Sequence, residues 1–161
     1  VFPVFPALAA DSVPVPKIGV VNLEKLFEQY ERTRGFKAKI QELSRTKQEE
    51  RERIVSEIKE MREEMVLLNE EGRRQRQGAY EEKMKHLAAF DRQAKESLRR
   101  EEEGALKVIQ DEIEQTVTSF AKDHGFTLIL VDRAVLYGVE AMDVTKEVLA
   151  LLNERHQEGK R

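Results

Sequence analysis

The side chains that carry out most enzyme chemistry are few and scattered in this sequence. Its three histidines, His86, His124 and His156, lie far apart along the chain, and there is no cysteine. Neither an HExxH zinc motif nor a glycine-rich phosphate loop occurs. Carboxylates are abundant, but nothing marks a pair of them as buried or shifted in pKa. The sequence therefore predicts no enzyme, no metal site and no cofactor.

The charge balance gives little indication of a nucleic-acid partner. Charged residues make up 37% of the 161 residues, and 28 basic side chains nearly balance 31 acidic ones, for a net charge of -3. Such a chain lacks the positive field that attracts nucleic acid as a whole. Two local groups of cations are candidates for weak contact with anionic lipid, although flanking glutamates favour an ordinary solvated turn and face. These cations are Arg73, Arg74, Arg76, Arg92, Lys95 and Arg99.

Residues 36–120 contain the elements that organise the chain. Apolar side chains recur there in steps of three and four, and a polar break at residues 70–77 separates two such stripes. The stripes mirror each other about Arg74, which predicts an antiparallel coiled-coil hairpin with arms of roughly 50 Å. The predicted partners include Leu68 with Tyr80, Met61 with Leu87, Ile54 with Ala94 and Leu43 with Ala105.

A charged layer interrupts both stripes. Lys47 replaces an apolar residue in the first arm, and Glu101 and Glu102 are its predicted ion-pair partners in the second. Exposed ion pairs contribute only about 0 to 1 kcal/mol, so this layer should hold the arms together weakly. The arms are expected to bend near residues 45–50 and 100–104, or else to carry an ordinary charged layer without motion.

Short strands flank the hairpin. Residues 17–22 (KIGVVN) and 126–131 (FTLILV) are rich in β-branched and aliphatic residues. A helix at residues 23–34 should lead into the first arm, and Gly125 should end the second. Residues 135–137 suggest a further short strand.

A last helix should begin after a cap at Asp143 or Thr145. The body, residues 17–35 plus 121–161, has about 60 residues and would bury too little surface to be stable alone. The strand at 126–131 is apolar on both faces, which is typical of a strand covered on both sides. The chain should therefore associate with copies of itself through Ile18, Val20, Leu128, Ile129, Leu130 and Val131.

The first residues read as a processing segment. Residues 1–9 are apolar and end on Ala7-Leu8-Ala9, the small-residue pattern that signal peptidase requires. Residues 1–16 are interpreted as a signal-peptide remnant and an extended, proline-rich lead-in. A tail kept unstructured by its prolines is the alternative.

Taken together, these motifs resemble the Skp/OmpH family of periplasmic chaperones. The resemblance rests on KIGVVNL at residues 17–23, GFTLILVD at 125–132, AVLY at 134–137 and DVTKEVL at 143–149. It implies an α+β, mostly α fold, in which a helical hairpin projects from a small β-containing body that trimerises. It also implies an ATP-independent holdase in the periplasm, whose three hairpins surround unfolded outer-membrane proteins. The net charge of -3 departs from the strongly basic character of the best-known members, which weakens any lipopolysaccharide contact.

In such a holdase, apolar residues outside the hairpin seam would contact the client. Many weak contacts spread over several arms allow holding and release without a fuel. Ordinary core residues or single surface hydrophobes are the alternative interpretation of the set. A coiled-coil spacer that binds a folded partner is the alternative function. The candidate client-binding residues are Val55, Val66, Leu67, Phe90, Leu106, Val108 and Val117.

Overall fold

The computed structural model describes residues 15–159, so all but the last two residues of the predicted signal-peptide remnant and lead-in, residues 1–16, lie outside the described part. Four helices and two strands follow one another along it, with two short 3-10 turns, Asp132–Ala134 and Glu140–Met142, between β2 and α4. The elements are β1 (Ile18–Val21), α1 (Leu23–Gln29), α2 (Glu31–Leu67), α3 (Glu70–Asp123), β2 (Leu128–Val131) and α4 (Thr145–Glu158). Helices α2 and α3 form the predicted antiparallel hairpin, and the other elements gather at its open end.

The turn of the hairpin lies at residues 68–69, so the prediction of a turn near Arg74 is wrong. The side chain of Asn69 accepts a hydrogen bond from the backbone N–H of Gly72 at 2.9 Å and so caps α3. An asparagine at this position satisfies a backbone donor that the first helical turn leaves free. The polar residues 70–77 therefore form the first two turns of α3.

The shift of the turn also changes the register of the two arms. Glu57 pairs with Lys83, whereas the predicted register would place it opposite residue 91. Residue 91 is an aspartate that instead binds Arg51, with the guanidinium Nε 2.9 Å from its carboxylate. The predicted register, with partners such as Leu68 and Tyr80, is therefore displaced by about two helical turns.

The charged layer differs from the prediction in its partners. Lys47 pairs with Glu50 of its own helix at 3.2 Å and lies 5.5 Å from the ring centre of Phe90. Glu101 pairs with Lys39 at 2.9 Å instead. Both helices run unbroken through this region, and bending of the arms stays a prediction.

The first arm begins at Glu31 after a break at Tyr30, so the predicted helix at residues 23–34 is divided between α1 and the start of α2. Tyr30 has an extended backbone, and its buried side chain reaches α3, where its hydroxyl donates to Glu112 at 2.8 Å. The chain turns here because this anchor faces the core, while Gly35 continues the helix.

The two strands form a parallel pair, with Ile18 opposite Leu128 and Val21 opposite Val131. Each strand is shorter than predicted by two residues. Since a parallel pair needs a long crossover, the whole hairpin is the connection between its strands. The second edge of β1 bonds to Asp143 and Val144 through Val20.

No third strand forms at residues 135–137, so this prediction is wrong. The segment lies between the two 3-10 turns, and Val135 donates its backbone N–H to Asp132 at 2.9 Å. The edge of β1 away from β2 is bridged to Asp143, just before α4, and residues 135–137 pair with neither strand.

The last helix begins at Thr145 with Val144 at the cap position, between the two predicted cap residues. The carboxylate of Asp143 accepts hydrogen bonds from the backbone N–H of Thr145 at 2.9 Å and from its hydroxyl at 2.5 Å. These bonds lower the pKa of Asp143. The Thr145 hydroxyl also accepts from the backbone N–H of Asn22 at 2.9 Å and ties α4 to the end of β1.

Apolar side chains are buried in two separate clusters. The larger lies in the body, where α1, α3 and α4 meet the strands, and the smaller lies in the arms around Ile54, Ile58 and Phe90. The two share no residue, so the arms have a core of their own. The body core consists of Val21, Leu26, Tyr30, Ile109, Ile113, Phe120, Val144, Val148 and Leu152.

Candidate client-binding and subunit-contact surfaces

Most of the predicted client-binding residues are exposed on the arms. Val66 and Leu67, at the end of α2, are 67% and 87% exposed. Val55, Leu106 and Val108 are also exposed, and charged residues separate them along the helices. These side chains are available for contact with another molecule.

Phe90 does not share this surface. It is only 8% exposed, because it packs with Ile54 and Ile58 in the arm cluster. The expectation that it lies outside the hairpin seam is therefore wrong. The spacing in the sequence indicates this burial, because Phe90 follows Leu87 by three residues and precedes Ala94 by four, as members of one apolar stripe do.

The sheet separates the predicted oligomerisation residues into two groups. Side chains alternate between the faces of a strand, and paired residues of a parallel sheet share a face. Val21 and Ile129 belong to the body core, so their face is covered by the chain itself. The other face carries the aliphatic pairs Ile18 with Leu128 and Val20 with Leu130, and Leu128 is exposed.

A groove that the sequence did not predict lies beside the covered face of the sheet. It has a volume of about 770 Å³ and runs between α1, α3 and β2. Leu106 and Val117, both predicted to bind clients, line it together with Ile129 and Val131, both predicted to contact other subunits. Its other apolar lining residues are Val21, Leu23, Phe27 and Ile113, and Glu24, Gln110, Glu114 and Arg133 add polar groups.

Arg73 has a structural role at the hairpin turn. Its guanidinium donates hydrogen bonds to the backbone carbonyls of Met65 and Leu68 at 3.0 Å and of Val66 at 3.2 Å. These carbonyls belong to the end of α2, where backbone acceptors lack helical partners. Arg73 is thereby engaged within its own chain.

The other two arginines near the turn are paired with glutamates. Arg74 lies 3.7 Å from Glu70, and Arg76 lies 3.3 Å from Glu64 across the hairpin. Their charges are therefore largely balanced locally.

On the helical face of α3, one of the three predicted cations is also paired. Arg99 bonds Glu96, and hydrogen bonds from Arg99 and Arg100 lower the pKa of Glu96 to about 2. Arg92 and Lys95 are exposed, and neither has a charged partner within residues 15–159. These two side chains form the remaining cationic surface.

The histidines occupy separate places. His124 stacks on the ring of Phe120, and its Nδ1 lies 2.9 Å from the backbone carbonyl of that residue. His156 packs edge-to-face with the ring of Tyr30. His86 is exposed on the second arm. Within residues 15–159 no group of three His, Asp or Glu side chains is placed to hold a metal ion.

A polar anchor joins the arms to the body. Glu112 accepts a hydrogen bond from Tyr30 and pairs with Arg32, beside a cavity of about 410 Å³ lined by Arg155 and His156. Burial and the hydrogen bond to Glu112 raise the pKa of Tyr30 well above its ordinary value. A neutral tyrosine is therefore part of this joint over the physiological pH range.

In the described part of the chain no helix is both long enough and apolar enough to cross a membrane. No curated protein matches the sequence. Among solved structures, a crystal structure of an OmpH-like outer membrane chaperone from Caulobacter crescentus CB15 is similar, with a TM-score of 0.80 and 14% identity over 88% of this chain and 86% of that one. At this identity the likeness shows a common fold.

A model of the OmpH-like outer membrane protein family matches residues 17–152. The match includes both strands, the whole hairpin and the start of α4, which is most of the chain. The protein therefore belongs to the OmpH-like family.

Proposed function

We propose that this chain is an ATP-independent holdase chaperone of the periplasm, which binds unfolded outer-membrane β-barrel proteins and prevents their aggregation. The OmpH-like family is a family of periplasmic, non-enzymatic chaperones, which supports the proposal. The observation that carries it is the hairpin, whose long arms expose apolar side chains at intervals among charged ones. The proposed function requires no catalytic step.

The client contacts are assigned to Val55, Val66, Leu67 and Val108. Val55 and Val108 stand apart from the others, and Val66 and Leu67 lie together in the short run of residues 65–68, so each of these apolar surfaces is small and each contact with an unfolded chain is weak. Several weak contacts made at the same time give a useful total affinity, and they can be released one by one. This accounts for holding and release without ATP.

The working form is proposed to be a homotrimer whose arms surround the client. The outer face of the β1–β2 pair supports self-association, because Leu128 is exposed there and Ile18, Val20 and Leu130 beside it are only partly buried. Burying such side chains stabilises an assembly by roughly 25 cal/mol per Å² of apolar surface. Sedimentation velocity gives the mass of the assembly in solution, and a purely monomeric chain would contradict this part of the proposal.

Weak contact with anionic lipid or lipopolysaccharide is assigned to Arg92 and Lys95. They are the predicted lipid-contacting cations without an acidic partner among the described residues. Two charges near a membrane surface contribute about 1 kcal/mol each, so this contact is weak.

The holding activity is tested by light scattering. A urea-unfolded outer-membrane β-barrel protein is diluted into buffer without nucleotide, with and without the chain. We expect the chain to suppress scattering. Unchanged scattering with a correctly assembled chain, together with binding to a folded partner, would favour the spacer function instead.

A matched pair of variants tests the client surface. Val66→Ser with Leu67→Ser removes two exposed apolar side chains without opening either core, and should weaken suppression. Gln75→Ser with Gln93→Ser makes an equal number of changes at exposed polar positions and should leave suppression unchanged. Equal protection by both variants would contradict the assignment.

A further inference from the structure

The hairpin ends in the most exposed apolar surface of the arms. Val66 is 67% exposed and Leu67 is 87% exposed, whereas the other exposed large apolar side chains on α2 and α3 are 36% to 50% exposed. Met65 and Leu68, which flank the pair, are partly buried. We call residues 65–68 the tip surface.

The tip surface lies at a helix end that has no cap of its own. The last carbonyls of a helix lack partners within that helix. The cap residues of the other three helices, Tyr30, His124 and Gly159, donate their backbone N–H to carbonyls of their own helix. Leu68, the cap residue of α2, makes no such bond within residues 15–159, and the last turn of α2 contains no basic side chain. Left to itself, the end of α2 would therefore fray.

Arg73, at the start of α3, supplies the missing cap. Its Nε donates hydrogen bonds to the carbonyls of Met65 and Leu68 at 3.0 Å, and a terminal nitrogen donates to the carbonyl of Val66 at 3.2 Å. The planar guanidinium presents several N–H donors in a fixed fork, so one side chain can hold three carbonyls at once. Its positive charge also lies at the negative end of the α2 dipole. The bonded carbonyls lie on both sides of Leu67, so the backbone of the exposed pair is held in place.

The turn places Arg73 within reach of α2 because it is short and fixed. Asn69 caps α3 through the backbone N–H of Gly72, and the backbone N–H of Arg73 donates to the carbonyl of Asn69 at 3.0 Å. A Cβ atom at residue 72 would lie 3.3 Å from the Cβ of Leu68 and from the Oδ1 of Asn69, so glycine allows the two helices to approach closely here. The side chain of Arg73 is thereby directed back to the end of α2.

We propose that Arg73 is a positioning residue for client holding, because it keeps Val66 and Leu67 ordered and exposed at the tip of each arm. This inference rests on the proposed holdase function and identifies a residue that acts through the apolar pair. A surface that is ordered before binding loses less conformational entropy when its client binds. Arg73 therefore contributes to affinity through hydrogen bonds within its own chain.

The expected effect follows from the strength of such a cap. Hydrogen bonds of this kind make the last turn of a helix about fivefold harder to open. An uncapped terminal turn opens with a free energy near zero, so loss of the cap lowers the ordered fraction of the tip surface from about five-sixths to about one-half. Each contact with a client then weakens about 1.7-fold, and three arms that act together weaken about fivefold.

Arg73→Gln tests the proposal, with Arg74→Gln as a control that removes the same charge. Arg74 is exposed and pairs with Glu70 of its own helix at 3.7 Å, so its loss leaves the end of α2 capped. Half-maximal suppression of scattering by a urea-unfolded outer-membrane β-barrel protein should need about fivefold more Arg73→Gln than parent chain, whereas Arg74→Gln should match the parent. Hydrogen exchange in peptides covering residues 60–68 should be about fivefold faster in Arg73→Gln alone, at unchanged mass in solution.

The same substitution in a chain that carries Val66→Ser and Leu67→Ser separates positioning from other roles. There Arg73→Gln should still accelerate exchange at the tip but should change client holding by no more than about 1.5-fold, because the apolar pair is gone. An equal loss of holding in both backgrounds would show that Arg73 meets the client directly and would overturn the inference. Unchanged holding by Arg73→Gln in a parent chain that does hold clients would also overturn it and leave the holdase proposal intact. A parent chain that holds no client would refute the proposed function, and this inference with it.

Discussion

Replacing Phe90 by alanine should loosen the arms and leave the body unchanged. The ring of Phe90 fills the small arm cluster with Ile54 and Ile58, and the ammonium group of Lys47 lies 5.5 Å from its centre. The body core contains none of these residues. Truncation at this position therefore removes the centre of one core and touches nothing in the other.

The expected magnitude follows from the size of the cluster. Phenylalanine to alanine changes in protein cores cost about 3 to 5 kcal/mol. The arm cluster has only three buried members, and Phe90 retains 8% exposure, so the lower end applies. A loss of about 3 kcal/mol corresponds to a roughly hundredfold increase in the opening equilibrium of the arms.

Native-state hydrogen exchange read by mass spectrometry measures this opening segment by segment. Peptides from the arms around Ile54 and Phe90 should exchange about a hundredfold faster, whereas peptides from α4 should be unaffected. Met84→Ala is the control, because Met84 is exposed on the same helix and its truncation should change exchange by no more than about threefold.

Two results would refute the reasoning. Equal acceleration in α4 would show that the arms and the body open as one unit, contrary to the separation of their cores. Unchanged exchange in the arms would show that the Phe90 cluster does not stabilise the hairpin.

Three further changes have outcomes set by local geometry. Gly125→Ala should lower the free energy of unfolding by about 1 kcal/mol, because Gly125 has a φ of +68°. Gly104→Ala should raise it by about the same amount, because Gly104 lies within α3 and an added methyl group meets open space there. Urea titration measures both changes. Arg73→Met should cost about 1 kcal/mol by freeing carbonyls at the end of α2, and faster exchange confined to the turn would show it. The pKa of Tyr30 is higher in the folded chain than in the unfolded chain, where it is about 10. The contribution of neutral Tyr30 to the stability of the fold is therefore complete below about pH 10 and is lost as the pH rises above that value. Thermal unfolding of Tyr30→Phe should depend less on pH between about 9 and 11 than that of the parent chain.

The hairpin and both strands were predictable because each depends on a local pattern. Steps of three and four residues indicate the arms, and β-branched runs indicate the strands. The register was not obtained from the stripes alone, since several displacements align apolar residues almost equally well. Asn69 followed by Glu70 and Glu71 is a helix start in the sequence and would have fixed the turn.

The surfaces of the body were predictable only in part. The two apolar faces of the second strand predict a sheet covered on both sides; in the structure Ile129 packs on the body core and Leu128 on the other face is exposed, and its cover by another subunit stays a prediction. The groove brings together Phe27, Leu106 and Ile129, which are far apart in sequence, and no local pattern reveals such an arrangement. The composition of the segment around Leu136 predicts a strand, but in the structure it joins neither β1 nor β2 and lies between two 3-10 turns.

The parallel pairing of β1 with β2 sets an order on how this protein can be built. The arms fold through contacts between neighbouring segments, whereas the two strands must wait for the ends of a very long connection to meet. The face of the sheet that is proposed to contact other subunits depends on that late meeting. A growing polypeptide is therefore expected to complete its rods before its sheet.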